Sequence, residues 1–275
     1  MSSNQDQIDY WNGAAGQRWV EAQESLDRTL ATIAKAHLAF VAVKPGERVL
    51  DIGCGCGTTT LAFAAAARPS GRVTGLDVSA PMLGLARRRA AGSAIDFIEA
   101  DASVHPFRAE YDVVTSRFGV MFFADPAAAF ANIRKALKPG GRLAFLCWRA
   151  LPDNAWAAVP LMAARDLLPA QSPPDPNAPG PFAFADPARL RKILESAGFN
   201  TIKIDKLDSV MDLAGTAPEA AQFSIGIGPL ARATAELDDA TKTKIVARVS
   251  EALKKYETPS GVSPPAACWL VGATA

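Results

Sequence analysis

The sequence predicts an α/β fold in which a mostly parallel sheet carries helices on both faces. Short apolar runs of strand length begin at Arg48, Arg72, Ile95, Tyr111 and Arg142, and they alternate with segments of helical periodicity. The first run breaks into Gly53, Gly55 and Gly57 directly before a helix-like stretch. Such a strand-to-helix turn is where backbone can lie against a nucleotide-type cofactor. Acidic residues then recur after successive strands, at Asp77 and Asp101.

Each element has its own local reason. Leu30, Ile33, Leu38 and Val41 mark a helix face before the first strand, and His37 beside them is read as a packing or surface residue. Val49, Leu50 and Ile52 form the first buried strand, and Thr58 to Arg68 the helix after it. Arg72 to Asp77 is the second strand. Ser79 caps the next helix with Pro81 in its first turn, and the helix continues through Met82, Leu83, Leu85 and Ala86. Ile95 to Asp101 is a third strand and Tyr111 to Ser116 a fourth. Asp125-Pro126 opens a helix with Phe130, Ile133 and Leu137 on one face, and Lys138-Pro-Gly-Gly141 stops it before a fifth strand, Arg142 to Trp148. Helices of this length between strands imply parallel pairing with right-handed crossovers.

Beyond Arg149 the composition changes. Eight prolines fall between 152 and 181, with one helix expected around Asn154 to Leu168. An insertion at the carboxyl end of the sheet can cover a ligand or form an ordered surface loop. Asp186-Pro187 begins another helix, through Leu190, Ile193 and Leu194 to Gly198. Ile202 and Ile204 begin a sixth strand, Pro218 opens an interrupted helical stretch, and Ile245, Val249, Leu253 and Tyr256 mark one face of a last long helix. Ala267 to Val271 supplies a seventh strand. The chain therefore divides into a helical segment at 1–40, a core at 41–150, an insertion at 151–185 and a completion of the same domain at 186–275.

Composition narrows the function. A chain of 275 residues with 49% hydrophobic content can bury one substantial core plus a smaller layer. Its 29 basic and 28 acidic residues leave a formal charge of +1, which offers no electrostatic case for nucleic acid or an anionic membrane as partner. The polar N-terminus lacks a basic segment followed by an apolar stretch, and the apolar runs are too short and Ala-rich to span a bilayer, so a cytoplasmic protein is expected, as monomer or homodimer. Cysteines at 54, 56, 147 and 268 include no C-x-x-C pair, and only two histidines are present; neither a disulfide framework nor a metal site is expected.

Spacing separates the candidate cofactors. A P-loop requires a lysine after its glycines, and none follows here. A dinucleotide site uses G-x-G-x-x-G, whereas Gly53, Gly55 and Gly57 give G-x-G-x-G with Thr58 next, which weakens a nicotinamide cofactor without removing it.

The segments Val49-Leu-Asp-Ile-Gly-Cys-Gly-Cys-Gly57, Gly75-Leu-Asp77 with Met82, Glu99-Ala-Asp101 and Leu137-Lys-Pro-Gly-Gly141 resemble, in order and spacing, the class I S-adenosylmethionine (SAM)-dependent methyltransferases over roughly residues 40 to 150. Ser116 to Phe123 with Cys147-Trp-Arg149 looks like a bacterial subgroup near the ubiquinone/menaquinone-biosynthesis C-methyltransferases. The resemblance implies a Rossmann-like seven-stranded sheet, an N-terminal helical lid, SAM as cofactor and S-adenosylhomocysteine (SAH) as product. It implies that Gly53, Cys54, Gly55 and Gly57 lie along the methionine part and that Asp51 assists its ammonium. Asp77 would take the ribose, Met82, Asp101 and Ala102 the adenine, with Val78 and Ser116 beside the cofactor and Trp11 and Trp19 in the lid over it. The alternative is that Asp77 and Asp101 merely cap turns.

A sulfonium methyl is already activated, so its transfer needs mainly alignment, exclusion of water and a nucleophile in the right protonation state. Arg117 suits either a clamp on a substrate carboxylate, enolate or phenolate, or a pair with a structural acid; Arg149 is a weaker candidate of the same kind. His105 can take a proton at neutral pH, though its place before Pro106-Phe107 equally suits a turn-stabilising role. Tyr10, Phe118, Phe122 and Trp148 offer faces for a flat acceptor, or simply core aromatics. The expected reaction is methyl transfer to carbon or oxygen, less readily nitrogen, of a small aromatic, quinone-like or polyketide-like molecule. A non-catalytic SAM-binding module and a nicotinamide-dependent oxidoreductase are the alternatives.

Overall fold

A computed structural model of the chain describes residues 4–169, 175–213 and 215–275. Residues 170–174 of the proline-rich insertion and 1–3 of the N-terminal segment lie outside the described residues. Four helices precede the sheet: α1 (Gln5–Asn12), α2 (Ala14–Glu21), α3 (Gln23–Thr29) and α4 (Ala31–Val41). Alternation then sets in with β1 (Arg48–Ile52), α5 (Thr58–Ala67), β2 (Arg72–Asp77), α6 (Ala80–Arg89), β3 (Ile95–Glu99), β4 (Tyr111–Arg117), α7 (Pro126–Arg134) and β5 (Leu137–Trp148). The remainder comprises α8 (Ala155–Ala164), α9 (Pro187–Ser196), β6 (Asn200–Val210), α10 (Ala217–Gly226), α11 (Pro229–Ala233) and α12 (Asp239–Leu253), then the short strands β7 (Glu257–Thr258) and β8 (Gly261–Val262) and the long β9 (Pro265–Thr274).

Seven strands form one sheet in the order β3-β2-β1-β4-β5-β9-β6. All its pairings from β3 to β5 are parallel, while β9 runs antiparallel between β5 and β6. This is the mostly parallel, seven-stranded Rossmann-like architecture expected. Chain order reverses between β1 and β4, and the crevice at the carboxyl ends of those strands is where open α/β sheets take their ligands.

Val49, Leu50, Asp51 and Ile52 are all buried, as in a strand covered on both faces. On one face Val49, Phe63, Val73, Val113 and Ala144 pack with Val41 of α4. The larger core gathers Phe130 and Ile133 of α7, Phe145 of β5, Leu190 and Leu194 of α9 and Phe184 of the insertion. Ser79, Asp125 and Asp186 each cap the helix predicted from it, with proline in the first turn. By contrast α5 starts from Gly57 at φ +83° with no side-chain cap, which leaves its first N–H groups free for a ligand.

Three boundaries differ from expectation. β5 begins at Leu137 rather than Arg142, because Leu137 pairs with Tyr111 ahead of an irregularity in register. The helix expected to reach Leu168 ends at Ala164, four residues beyond the internal Pro160. β6 and β9 are longer than their apolar centres, since they pair along almost their whole lengths, from Asn200 with Thr274 to Val210 with Pro265.

Candidate active site

The glycine turn owes its shape to backbone that other residues adopt only with strain. Gly53, Gly55 and Gly57 have φ of +65°, +54° and +83°. A Cβ on Gly53 would lie 2.6 Å from the Cα of Gly119, so the turn after β1 rests directly on the one after β4. Gly119 carries no spacing signal of its own.

Two buried acids organise the turn. Asp77 ends β2, accepts from the Gly55 N–H at 2.8 Å through Oδ2 and from the Ser79 N–H at 2.9 Å through Oδ1. Each oxygen retains a lone pair for a further donor. Asp51 lies fully buried on β1, and its Oδ2 accepts from the hydroxyls of Thr59 at 2.8 Å and Thr60 at 2.7 Å. Its Oδ1 is buried without a partner. Burial raises the Asp51 carboxyl to about 6, against the lowering effects of the two threonines and Arg117.

Arg117 is the last residue of β4 and lines a cavity with Gly53, Cys54, Gly55, Cys56, Thr58 and Thr59. Trp19, Gln23, Leu26 and Leu30 of the N-terminal segment line its other side. Its volume is about 50 Å³. Arg117 Nη1 is buried without a partner, and burial lowers the pKa of the guanidinium while Asp51 and Asp27 pull it up.

The N-terminal helices are fastened over this turn by polar contacts. Asn12 Nδ2 donates to the Val78 carbonyl at 2.8 Å, its Oδ1 accepts from the Ala80 N–H at 3.0 Å, and Ser79 Oγ donates to the Trp11 carbonyl at 2.8 Å. Gly16 lets α2 come close to the start of α6: a Cβ there would sit 3.0 Å from Ser79 Oγ. Asp27 pairs with Arg89 at 2.7 Å, and Thr58 donates to Asp27 at 2.6 Å. Arg89 also donates to the Cys56 carbonyl at 2.9 Å, and Gln23 donates to Thr58 at 3.0 Å.

The structure brings most of the predicted site residues to one end of the sheet. Met82 is buried in the first turn of α6, 3.8 Å below a Cβ built on Gly55. Asp101 caps its own turn by accepting from the Ser103 N–H at 2.9 Å, beside buried Ala102. Ser116 is buried and accepts from the Gly119 N–H at 3.1 Å. The aromatic candidates form two groups. Tyr10, Trp11, Trp19 and Phe122 meet edge to face, with Trp11 central at 5.1 to 5.7 Å from the other rings. Phe118, at φ +68°, stacks on Trp148 at 4.1 Å, and Trp148 meets Trp156 of α8 at 4.8 Å.

Two candidates stand apart. Arg149 is held by Asp153 at 3.1 Å and Asp208 at 2.5 Å, with its guanidinium over the Trp269 ring. His105 lies in the turn after β3, its N–H donating to Asp101, its carbonyl accepting from Asn132 and its ring against Phe107. His37 is fully buried, its Nε2 3.1 Å from Thr115 Oγ1 under β4, and burial holds its pKa down to about 3. Sequence reasoning missed Asn12, Asp27, Thr59, Thr60, Arg89 and Trp156. Asn12, Asp27 and Arg89 have partners far away in the chain, and only the fold brings Thr59 and Thr60 against Asp51 and Trp156 against Trp148. Among the described residues no cluster of three or more His, Cys, Asp or Glu could hold a metal ion, and no helix is long and apolar enough to cross a membrane.

A positive-φ glycine turn, an acid at the end of β2 and an uncapped helix start are the parts that hold an adenosyl cofactor's polar groups, and the comparisons agree with that geometry. Residues 49–141 match the family described as "Methyltransferase domain". The chain is 33% identical over 168 residues to a demethylmenaquinone methyltransferase of Thermus thermophilus, an alignment covering 57% of this chain and 76% of that one. It is 42% identical over 139 residues to the ubiquinone/menaquinone biosynthesis C-methyltransferase UbiE of Burkholderia vietnamiensis, with 50% of this chain and 53% of that one covered, so it spans about half the length of that relative. Its fold matches that of Haemonchus contortus phosphoethanolamine N-methyltransferase 2 in complex with SAM, with a TM-score of 0.59 at 18% identity, over 100% of this chain and 60% of the other. On the glycine turn, the acids that frame it and the match across three quarters of the Thermus relative, the chain belongs to the class I SAM-dependent methyltransferases.

Proposed function

We propose that this methyltransferase acts on carbon, or alternatively oxygen, of a small flat aromatic or quinone-like acceptor in the cytoplasm. The observation that carries the acceptor class is the stack of Phe118 on Trp148, continued by Trp156, at the carboxyl ends of β4 and β5. Aromatic walls select planar molecules and exclude water. The Thermus relative, a demethylmenaquinone methyltransferase, and the Burkholderia relative, a ubiquinone/menaquinone biosynthesis C-methyltransferase, support the same class. Four free, buried cysteines suit a reducing compartment.

When bound, SAM supplies a methyl group already activated on a sulfonium. The chain's own residues would then bind and align. Asp77 would accept from ribose hydroxyls through the lone pairs left by Gly55 and Ser79. Met82 and the Asp101–Ala102 turn would border the adenine, and the backbone of Gly53 and Gly55 the amino-acid end. A cavity of about 50 Å³ is well below the roughly 300–1,000 Å³ of small-molecule sites, so α1 to α3 would act as a lid that lifts to admit the cofactor. The α8 portion of the insertion would wall the acceptor side through Trp156.

The test is an acceptor screen with a labelled methyl donor: demethylated quinols, simple phenols, carboxylic acids and amines in parallel. Methyl transfer to ring carbon or phenolic oxygen of the flat acceptors supports the reading. Turnover confined to aliphatic amines or acids would refute it.

A further inference from the structure

Asp51 and Arg117 bring opposite charges to the same end of the sheet, and each keeps one polar atom without a partner. Asp51 Oδ1 and Arg117 Nη1 are both buried without a hydrogen-bond partner, although each charge favours the other from a distance. Buried charged atoms left without partners are costly, so such a site is built for groups that arrive with a ligand. Register places both on one face. Asp51 lies beside Thr115 in the parallel β1–β4 pairing, and Arg117 stands two residues farther toward the carboxyl end, on the same side of the sheet as Thr115.

From this geometry we propose that Arg117 is a cofactor-binding residue. It receives the carboxylate of the amino-acid end of SAM, beside the ammonium that the family resemblance assigns to Asp51. The inference rests on the SAM reading above and moves Arg117 from the acceptor to the cofactor. Three further observations support it. The cavity that Arg117 lines is shared with Gly53, Cys54 and Gly55 and not with Phe118, Trp148 or Trp156. A guanidinium matches a carboxylate with two parallel donors. The rival fixed carboxylate, Asp27, is already engaged by Arg89, Thr58 and Gln23.

The test compares SAH with 5′-methylthioadenosine, which keeps the adenosine and thioether and lacks the amino-acid end, by calorimetry on the full chain. Arg117→Gln should weaken SAH at least 30-fold and leave 5′-methylthioadenosine within twofold, with Arg117→Lys recovering part of the loss. Unchanged SAH affinity in Arg117→Gln, or an equal loss for both ligands, would overturn the assignment. A measurement on the unaltered protein guards against a misfolded variant: SAH decarboxylated at its amino-acid end should bind at least 30-fold more weakly than SAH, and equal binding would also overturn the proposal. Failure of the unaltered protein to bind either SAH or 5′-methylthioadenosine would remove the SAM reading itself, and this proposal with it.

Discussion

The cofactor side of the cleft and the side assigned to the acceptor are held by different kinds of contact. On the first, backbone meets backbone or a single acid: Gly53 against Gly119, and Asp77 between the N–H groups of Gly55 and Ser79. On the second, rings meet rings from three separate segments, Phe118, Trp148 and Trp156. Backbone contacts at van der Waals limits admit almost no change, whereas an aromatic wall can be reshaped one side chain at a time. On the proposed reading, one half of the cleft tolerates almost no substitution while the other can follow its acceptor.

The sharpest way to break that contrast is Gly53→Ala. With φ at +65° and a new Cβ 2.6 Å from Gly119 Cα, it should cost about 3 kcal/mol of stability. SAH binding should be lost with it, by denaturant unfolding and calorimetry respectively; wild-type values for both would mean that the turn is not held as described.

Acid titration probes the buried charges beneath the turn. Asp51 is raised by folding to about 6, so alone it stabilises the fold at low pH and loses that contribution as pH rises through about 6. His37 is lowered to about 3, so the unfolded chain takes up its proton first and stability falls as pH drops below its ordinary value of 6.5. Between about pH 4 and 6 the two slopes oppose each other. Asp51→Asn should expose the His37 slope, a loss of about 1.4 kcal/mol per pH unit over that window. Urea melts at pH 4, 5, 6 and 7 measure it, and parallel curves for variant and wild type would show that Asp51 does not titrate there.

Trp156→Ala tests the acceptor wall. Loss of one ring contact is worth about 1 kcal/mol, read as a five- to tenfold rise in acceptor KM with SAH affinity unchanged. A change in SAH affinity instead would merge the two sides. The smallest effect is expected from Asp27→Asn. Its pair with Arg89 is partly exposed, so stability should move by about 0.5 kcal/mol, while proteolysis within residues 5–30 should accelerate. Unchanged proteolysis would separate Asp27 from the fastening of the N-terminal helices.

What could be read from the sequence follows the same division. Gly53, Gly55 and Gly57 and the capped starts at Ser79, Asp125 and Asp186 are local signals, each produced by a few adjacent residues, and the parallel pairing of β1 to β5 follows from the alternation of strands and helices. The boundaries that moved depend on a neighbour: β5 reaches back to Leu137 only because Tyr111 is there to pair with it. Arg89 and Asp27 lie 62 residues apart, and nothing in either segment announces the other. Trp156 stood in an expected helix, but only the position of that helix beside β5 puts it against Trp148. His37 read equally well as packing or surface until α4 was seen to press it against Thr115.

The cavity under Trp19 and Leu26 would also set a clock. At about 50 Å³ it can neither admit nor release a molecule the size of SAM. On the lid proposal, every exchange waits for the N-terminal helices to part from Val78, Ala80 and Thr58. In a rapid-mixing experiment, the observed association rate should climb with SAH concentration and then level off at the opening rate, with SAM reaching the same ceiling. A shared ceiling would make the pace of this enzyme a property of Asn12, Asp27 and Arg89, however quickly the methyl group itself is passed on.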